Sequence, residues 1–151
     1  MFHNTRWVLW LALAATLGCG APPSTRPGPA VPQAGAEATS CVFLVHGPTD
    51  VAIAIKYRLK RAGYLATTDV MTPHDVELHV IREPGSEADE IIVRVLGNKT
   101  LLATTTTRVE SGESPSSRQI DEIVSGITRW PKVKAHVRRV KSEKQAAAKA
   151  Q

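Results

Sequence analysis

Imidazole and carboxylate side chains commonly form metal and acid–base sites, and they occur together around residue 75. His74, Asp75 and His79 form this group, with the two histidines five residues apart. That spacing suits neither one face of a helix nor one face of a strand. His79 falls on the predicted solvent side of a strand, so we interpret it as a solvated imidazole. The sequence predicts no metal site and no catalytic residue here.

Two other patterns are similar to functional motifs but lack essential residues of them. His46-Gly47 after an apolar run is similar to the His-Gly element of α/β-hydrolases, but no Gly-x-Ser-x-Gly motif follows. Glu87, Asp89 and Glu90 lack the glycine-containing spacing of a calcium loop and are interpreted as a solvated turn. We therefore expect a protein that is not an enzyme and has no cofactor.

Positive charge is concentrated at the C-terminal end of the chain. The net charge is +5, yet residues 41–128 carry nine basic side chains against twelve acids. From Arg129 onward there are eight basic side chains and one acid, Glu143. Such a run is attracted to anionic surfaces, with lipid phosphates or an acidic partner protein as candidates. The residues predicted to bind such a surface are Lys132, Lys134, Arg138, Arg139, Lys141 and Lys144.

The basic segment has one open alternative interpretation, and a further partner class is not expected for it. A solvated tail with no partner stays open. Nucleic acid is not expected, because no aromatic stacking platform accompanies the charge and the N-terminus carries a secretion signal.

The first residues have the parts of a secretory signal. Arg6 precedes an apolar run of eleven residues, 7–17, which ends in small residues. Eleven helical residues rise only about 16 Å, against about 30 Å for the hydrocarbon core of a bilayer. A cleaved signal at 1–18 is therefore favoured over a membrane-spanning helix.

The end of this signal, Thr16-Leu17-Gly18-Cys19, resembles the lipobox of bacterial lipoproteins. The resemblance implies cleavage before Cys19, lipidation of its thiol and attachment to a membrane; cleavage near Ala21 without lipid is the alternative. Gly20 is not the Asp that favours retention in the inner membrane of enteric bacteria. The resemblance therefore implies the bacterial cell envelope, at the outer membrane and facing the periplasm.

The segment 19–40 is predicted to be a disordered tether, since prolines, alanines and glycines give it little apolar surface to bury. With Cys19 lipidated, Cys41 has no partner for an internal disulfide. It opens an apolar run and is interpreted as a small buried hydrophobe.

Hydrophobic periodicity from residue 41 predicts one α+β domain at 41–130, followed by a basic tail at 131–151 that is helical or disordered. Ser116 and Gln119 have the spacing of a capping box, and Pro131 should interrupt or kink the helix that they begin. Strands are expected at 42–45, 65–70, 76–82, 91–96 and 101–109, and helices at 51–62 and 116–130. The expected fold is a two-layer sandwich, with a mostly antiparallel sheet of four to five strands and two helices on one face.

This order of elements weakly resembles small envelope lipoproteins, such as the lipopolysaccharide-assembly lipoprotein and auxiliary lipoproteins of lipid transporters. The segments that carry the likeness are 51–63 and 76–107. It is a likeness of fold and transfers no functional residue. The expected function is that of a membrane-tethered, non-enzymatic accessory or binding module. Its expected partner is an envelope protein complex or anionic lipid. A lipid- or lipopolysaccharide-binding lipoprotein is the alternative, and an enzyme of unknown type comes third.

Overall fold

The computed structural model describes residues 40–150. Cys19, the signal at 1–18 and the tether up to residue 39 lie outside the described residues. The elements are β1 (Val42–His46), α1 (Thr49–Arg61), β2 (Leu65–Thr67), β3 (Val76–Glu83), β4 (Ala88–Gly97), β5 (Thr100–Glu110), α2 (Ser117–Arg129) and α3 (Pro131–Lys149).

The five strands form one mixed sheet in the order β2-β1-β3-β4-β5. The α+β class is confirmed, and β3, β4 and β5 pair antiparallel as expected. β1, however, runs parallel to both of its neighbours, β2 and β3. Since α1 carries the chain back between β1 and β2, these two strands start at the same end of the sheet, which makes them parallel.

One face of the sheet is covered by helices. Alternate strand residues point into this core, as period-two patterning requires. Those from the strands include Phe43, Val45, Val76, Leu78, Val80, Ile91, Val93 and Val95. Those from the helices include Val51, Ile55, Leu59, Ile120, Ile123, Val124, Ile127, Val133, Val137 and Val140.

The basic segment after residue 130, predicted as a helical or disordered tail, is helical and forms a third helix of the fold. Val133, Val137 and Val140 recur at helical spacing on α3 and are buried in the core. The compact unit that contains the sheet extends through this helix. The weak apolar stripe thus packs against the sheet, and the positive charges of α3 lie on its remaining faces.

The start of α2 and its separation from α3 follow the sequence closely. Gln119 N donates to Ser116 Oγ at 3.4 Å and Ser116 N donates to Gln119 Oε1 at 2.8 Å, which confirms the capping box. α2 ends at Arg129 and Pro131 opens α3. Proline is well suited to a first helical position, where its missing N–H costs no hydrogen bond.

Two residues in the left-handed region close the β4–β5 hairpin. Asn98 has φ of 50° and Lys99 has φ of 62°, the pair of positive values that a tight hairpin needs. Gly97 serves another purpose. A Cβ there would lie 2.6 Å from Cε1 of His136, so the missing side chain lets α3 approach β4.

Candidate functional site

The six basic residues predicted to bind an anionic surface all lie on α3, but the structure divides them among three places. Lys134, Arg138 and Lys141 follow one another at spacings of four and three and share one flank of the helix. Lys132 and Arg139 lie on the other flank. Lys144 is directed back over the start of the sheet.

The first flank borders a groove with a volume of about 250 Å³. Its floor is apolar and is formed by Phe43 of β1 together with Val133 and Val137 of α3. Tyr64 forms a wall, its ring packing edge-on against Phe43 with centroids 5.3 Å apart, and Thr128 of α2 contributes as well. The groove thus lies between the last helix and the β1 side of the sheet.

The rim of the groove is positively charged. Lys134, Arg138 and Lys141 line it and are exposed. Among the described residues, no carboxylate lines this groove. An apolar floor with cations along one edge matches an amphiphile that has an anionic head.

Two of the other three basic residues already have partners. Arg139 lies 3.8 Å from Glu143 and its guanidinium is 3.1 Å from Nδ1 of His136. Lys144 Nζ donates to Asp75 Oδ2 at 2.7 Å and to the Ser40 carbonyl at 3.1 Å. Lys134, Arg138 and Lys141 thus line this groove, whereas Lys132 and Arg139 line a second concavity beside Leu101 and Leu102.

Comparison with known proteins gives no identification. The sequence matches no known family profile, and no curated protein matches it significantly. In the described part of the chain, no helix combines the length and apolarity that crossing a bilayer would need.

A second polar cluster, which the sequence did not predict, lies on the sheet face opposite the helices. His46 ends β1, while Glu77 and His79 point to the same side of β3. The parallel register pairs His46 with His79, and their ring centroids are 4.0 Å apart. Nε2 of His79 lies 2.9 Å from Glu77 Oε2. His74 joins from the loop before β3, with Nε2 3.3 Å from Glu77 Oε1.

The cluster perturbs the protonation of its members. Burial, followed by the neighbouring His79, lowers the pKa of His46. The pKa of His74 is raised, chiefly by its hydrogen bond to the Thr72 carbonyl. Hydrogen bonds from His79 and His74 lower the pKa of Glu77. His79 lies on the outer face of its strand and is partly exposed, as predicted, and it is paired there with Glu77.

Cys41 is buried as predicted, with 1% of its surface exposed. Burial, together with the nearby negative charge of Asp75, raises the pKa of its thiol to about 11. The thiolate is the nucleophilic form, so Cys41 is not a candidate nucleophile.

Proposed function

We propose that this chain is a membrane-tethered lipoprotein of the bacterial envelope that acts as a non-enzymatic binding module for a phosphate-bearing lipid. The observation that carries the proposal is the groove beside α3, where Lys134, Arg138 and Lys141 border an apolar floor. The lipid phosphate lies at the basic rim, and the first part of an acyl chain lies against Tyr64 and Val137.

Charge and size both support this ligand. A basic side chain near an anionic lipid surface contributes about 1 kcal/mol, and each buried CH₂ contributes about 0.8 kcal/mol. The groove volume of about 250 Å³ lies just below the range of about 300–1,000 Å³ that is usual for small-molecule sites. The groove therefore holds the head and the start of one chain, while the rest of the lipid stays in the membrane.

The described chain begins next to α3, and this position supports the proposal. Ser40, the first described residue, accepts a hydrogen bond from Lys144 of this helix. The proposed anchor at Cys19 is connected to the domain through Ser40. The predicted tether therefore enters the domain beside the basic helix, which keeps the groove within reach of the lipid to which the chain is attached.

The anchor is tested by mass spectrometry of the mature N-terminus in wild type and Cys19→Ala. The proposal predicts a diacylglyceryl, N-acylated Cys19 in the wild type and no lipid in the variant. An unmodified peptide starting near Ala21 would contradict the anchor and leave the groove to be judged by its own test.

The groove is tested by co-sedimentation of the full mature chain, carrying Cys19→Ala, with phosphatidylcholine vesicles made with and without phosphatidylglycerol. Replacing Lys134, Arg138 and Lys141 with alanine should weaken binding to the anionic vesicles by up to about 100-fold, at about 1 kcal/mol per cation. The matched control replaces Lys132 and Arg139, which border no part of this groove.

Each outcome of the vesicle experiment decides between two explanations. A loss confined to the groove variant, with the control near wild type, supports the proposal. Equal losses per charge in both variants would mean that the helix is attracted by net charge alone, and the groove would then not be the lipid site.

A further inference from the structure

The cluster on the open face of the sheet brings three metal-ligating side chains into one place. The ligating atoms of His46, Glu77 and His79 all lie within 4.8 Å of one another. None of the three is fully buried, and the side chains of Glu77 and His79 are 36% and 37% exposed. A dissolved ion can therefore reach all three.

The fold positions these side chains through the pairing of β1 with β3. Asp75 N donates to the Val42 carbonyl at 2.9 Å and Val42 N donates to Asp75 Oδ2 at 2.7 Å, which sets the register of the two strands. At the other end of β1, Gly47 approaches β3 so closely that a Cβ would lie 2.2 Å from the Val80 carbonyl oxygen. Both ends of β1 are thus held, and His46 is fixed beside His79.

His74 can supply a fourth ligand. Its Nδ1 lies 3.0 Å from the Thr72 carbonyl oxygen, while its Nε2 faces Glu77. Metal-bound histidines usually donate the N–H of the second ring nitrogen to a carbonyl or carboxylate, which fixes the tautomer and directs the free nitrogen to the ion. With Nδ1–H donated to Thr72, Nε2 can release the proton it shares with Glu77 and present its lone pair to an ion in the cluster.

The distances suit a small transition-metal ion. Zinc lies about 2.0–2.2 Å from nitrogen and oxygen ligands, so neighbouring donors of a tetrahedral site are about 3.3 Å apart. Two pairs of donors in the cluster, at 2.9 and 3.3 Å, are already near that separation. The ligating atoms of His46, Glu77 and His79 span at most 4.8 Å, so they must draw closer when an ion binds.

The donor set also selects the class of ion. Imidazole nitrogens suit Zn²⁺, Cu²⁺ and Ni²⁺, whereas Ca²⁺ and Mg²⁺ require mainly oxygen ligands. We propose that His46, Glu77 and His79, with His74 as fourth ligand, bind one transition-metal dication of the Zn²⁺ class. This site lies across the sheet from the groove, so it does not depend on the proposed lipid ligand.

Calorimetric titration with Zn²⁺ tests the site directly, using the full mature chain stripped with a chelator. We expect one equivalent to bind with saturation and to raise the Tm. Glu77→Gln keeps the shape of the side chain and should weaken binding at least about 10-fold, the lower end of the effect seen for mutations around metal sites. His79→Ala should weaken it at least as much. Glu83→Gln, an exposed carboxylate on the same strand, should bind as the wild type does.

Circular dichroism of each variant separates lost binding from lost folding, and the isosteric Glu77→Gln keeps the test open if a histidine variant unfolds. Binding of Co²⁺ gives a second readout, since tetrahedral coordination produces intense visible absorption that Glu77→Gln should abolish. Absence of saturable Zn²⁺ binding by the wild type, or equal affinity in Glu77→Gln, would overturn the proposal.

Discussion

Lys144 Nζ lies 2.7 Å from Asp75 Oδ2 and so joins the last helix to the start of the central strand β3. The same carboxylate oxygen accepts the N–H of Val42 at 2.7 Å. The Asp75 carbonyl oxygen lies 3.2 Å from Nε2 of the buried His136. One residue thus connects β1, β3 and α3, and the helix that lines the groove is fixed to the sheet through it.

We predict that Asp75→Ala destabilises the domain by about 1–3 kcal/mol, because the Val42 N–H loses its acceptor in a partly buried place. Lys144→Met keeps the apolar stem and should cost less. Urea denaturation followed by circular dichroism measures both, with exposed Glu87→Ala as control. Stability of Asp75→Ala equal to that of the control would show that this junction does not hold the helix.

Gly97→Ala should be destabilising by about 1–3 kcal/mol, since the added Cβ would lie 2.6–2.8 Å from the His136 ring and push α3 away from β4. Gly126→Ala is the matched control. Its Cβ meets only Thr105 Oγ1, at 3.7 Å, and it lies inside α2, so alanine there should stabilise by about 0.5–1 kcal/mol. Opposite signs in urea denaturation are expected, and a stabilising Gly97→Ala would contradict the close packing of α3 on the sheet.

Asp89 should make the domain sensitive to acid. The hydrogen bond from Gly112 N, helped by Ser111 and the nearby Arg82, holds the pKa of this carboxyl below its ordinary value of 3.8. A lowered folded-state pKa contributes stability that is present above the ordinary value and is lost as pH falls through the folded one.

The Asp89 prediction is therefore one of pH dependence. The difference in free energy of unfolding between wild type and Asp89→Asn should be largest near neutral pH and should shrink as pH falls below about 4. Glu87→Gln, at an exposed position, should show a much smaller change. A wild-type advantage over Asp89→Asn that stays constant down to pH 2 would contradict the role given to the ionised carboxylate.

The sequence predicted the features that depend on neighbours along the chain. The capping box of Ser116 and Gln119 is set by local backbone chemistry and is present. Between the strands expected at 91–96 and 101–109, Asn98 takes the positive φ that a tight hairpin needs. Gly63, with φ of +85°, likewise takes the left-handed conformation that glycine often adopts just after a helix. Thr49 and Asp50 are residue types that often cap helices, yet α1 begins directly after Pro48 and has no side-chain cap.

What the sequence missed depends on contacts between distant segments. His46 and His79 are 33 residues apart and meet only because β1 pairs with β3 in parallel, which no periodicity reveals. Asp89 was placed in a solvated turn, yet it is only 4% exposed and lies against Ser111 and Arg82. The groove could not be predicted from the sequence, because its floor combines Phe43 with α3 residues about ninety positions later.

The most direct test of the proposed function is an NMR titration of the mature Cys19→Ala chain with a short-chain anionic phospholipid below its micelle concentration. We predict saturable shifts of backbone amides at Tyr64 and along 134–141, with little response to the matching phosphatidylcholine. Shifts that are the same for both lipids, or that map to the Lys132 and Arg139 flank instead, would contradict the groove as the lipid site.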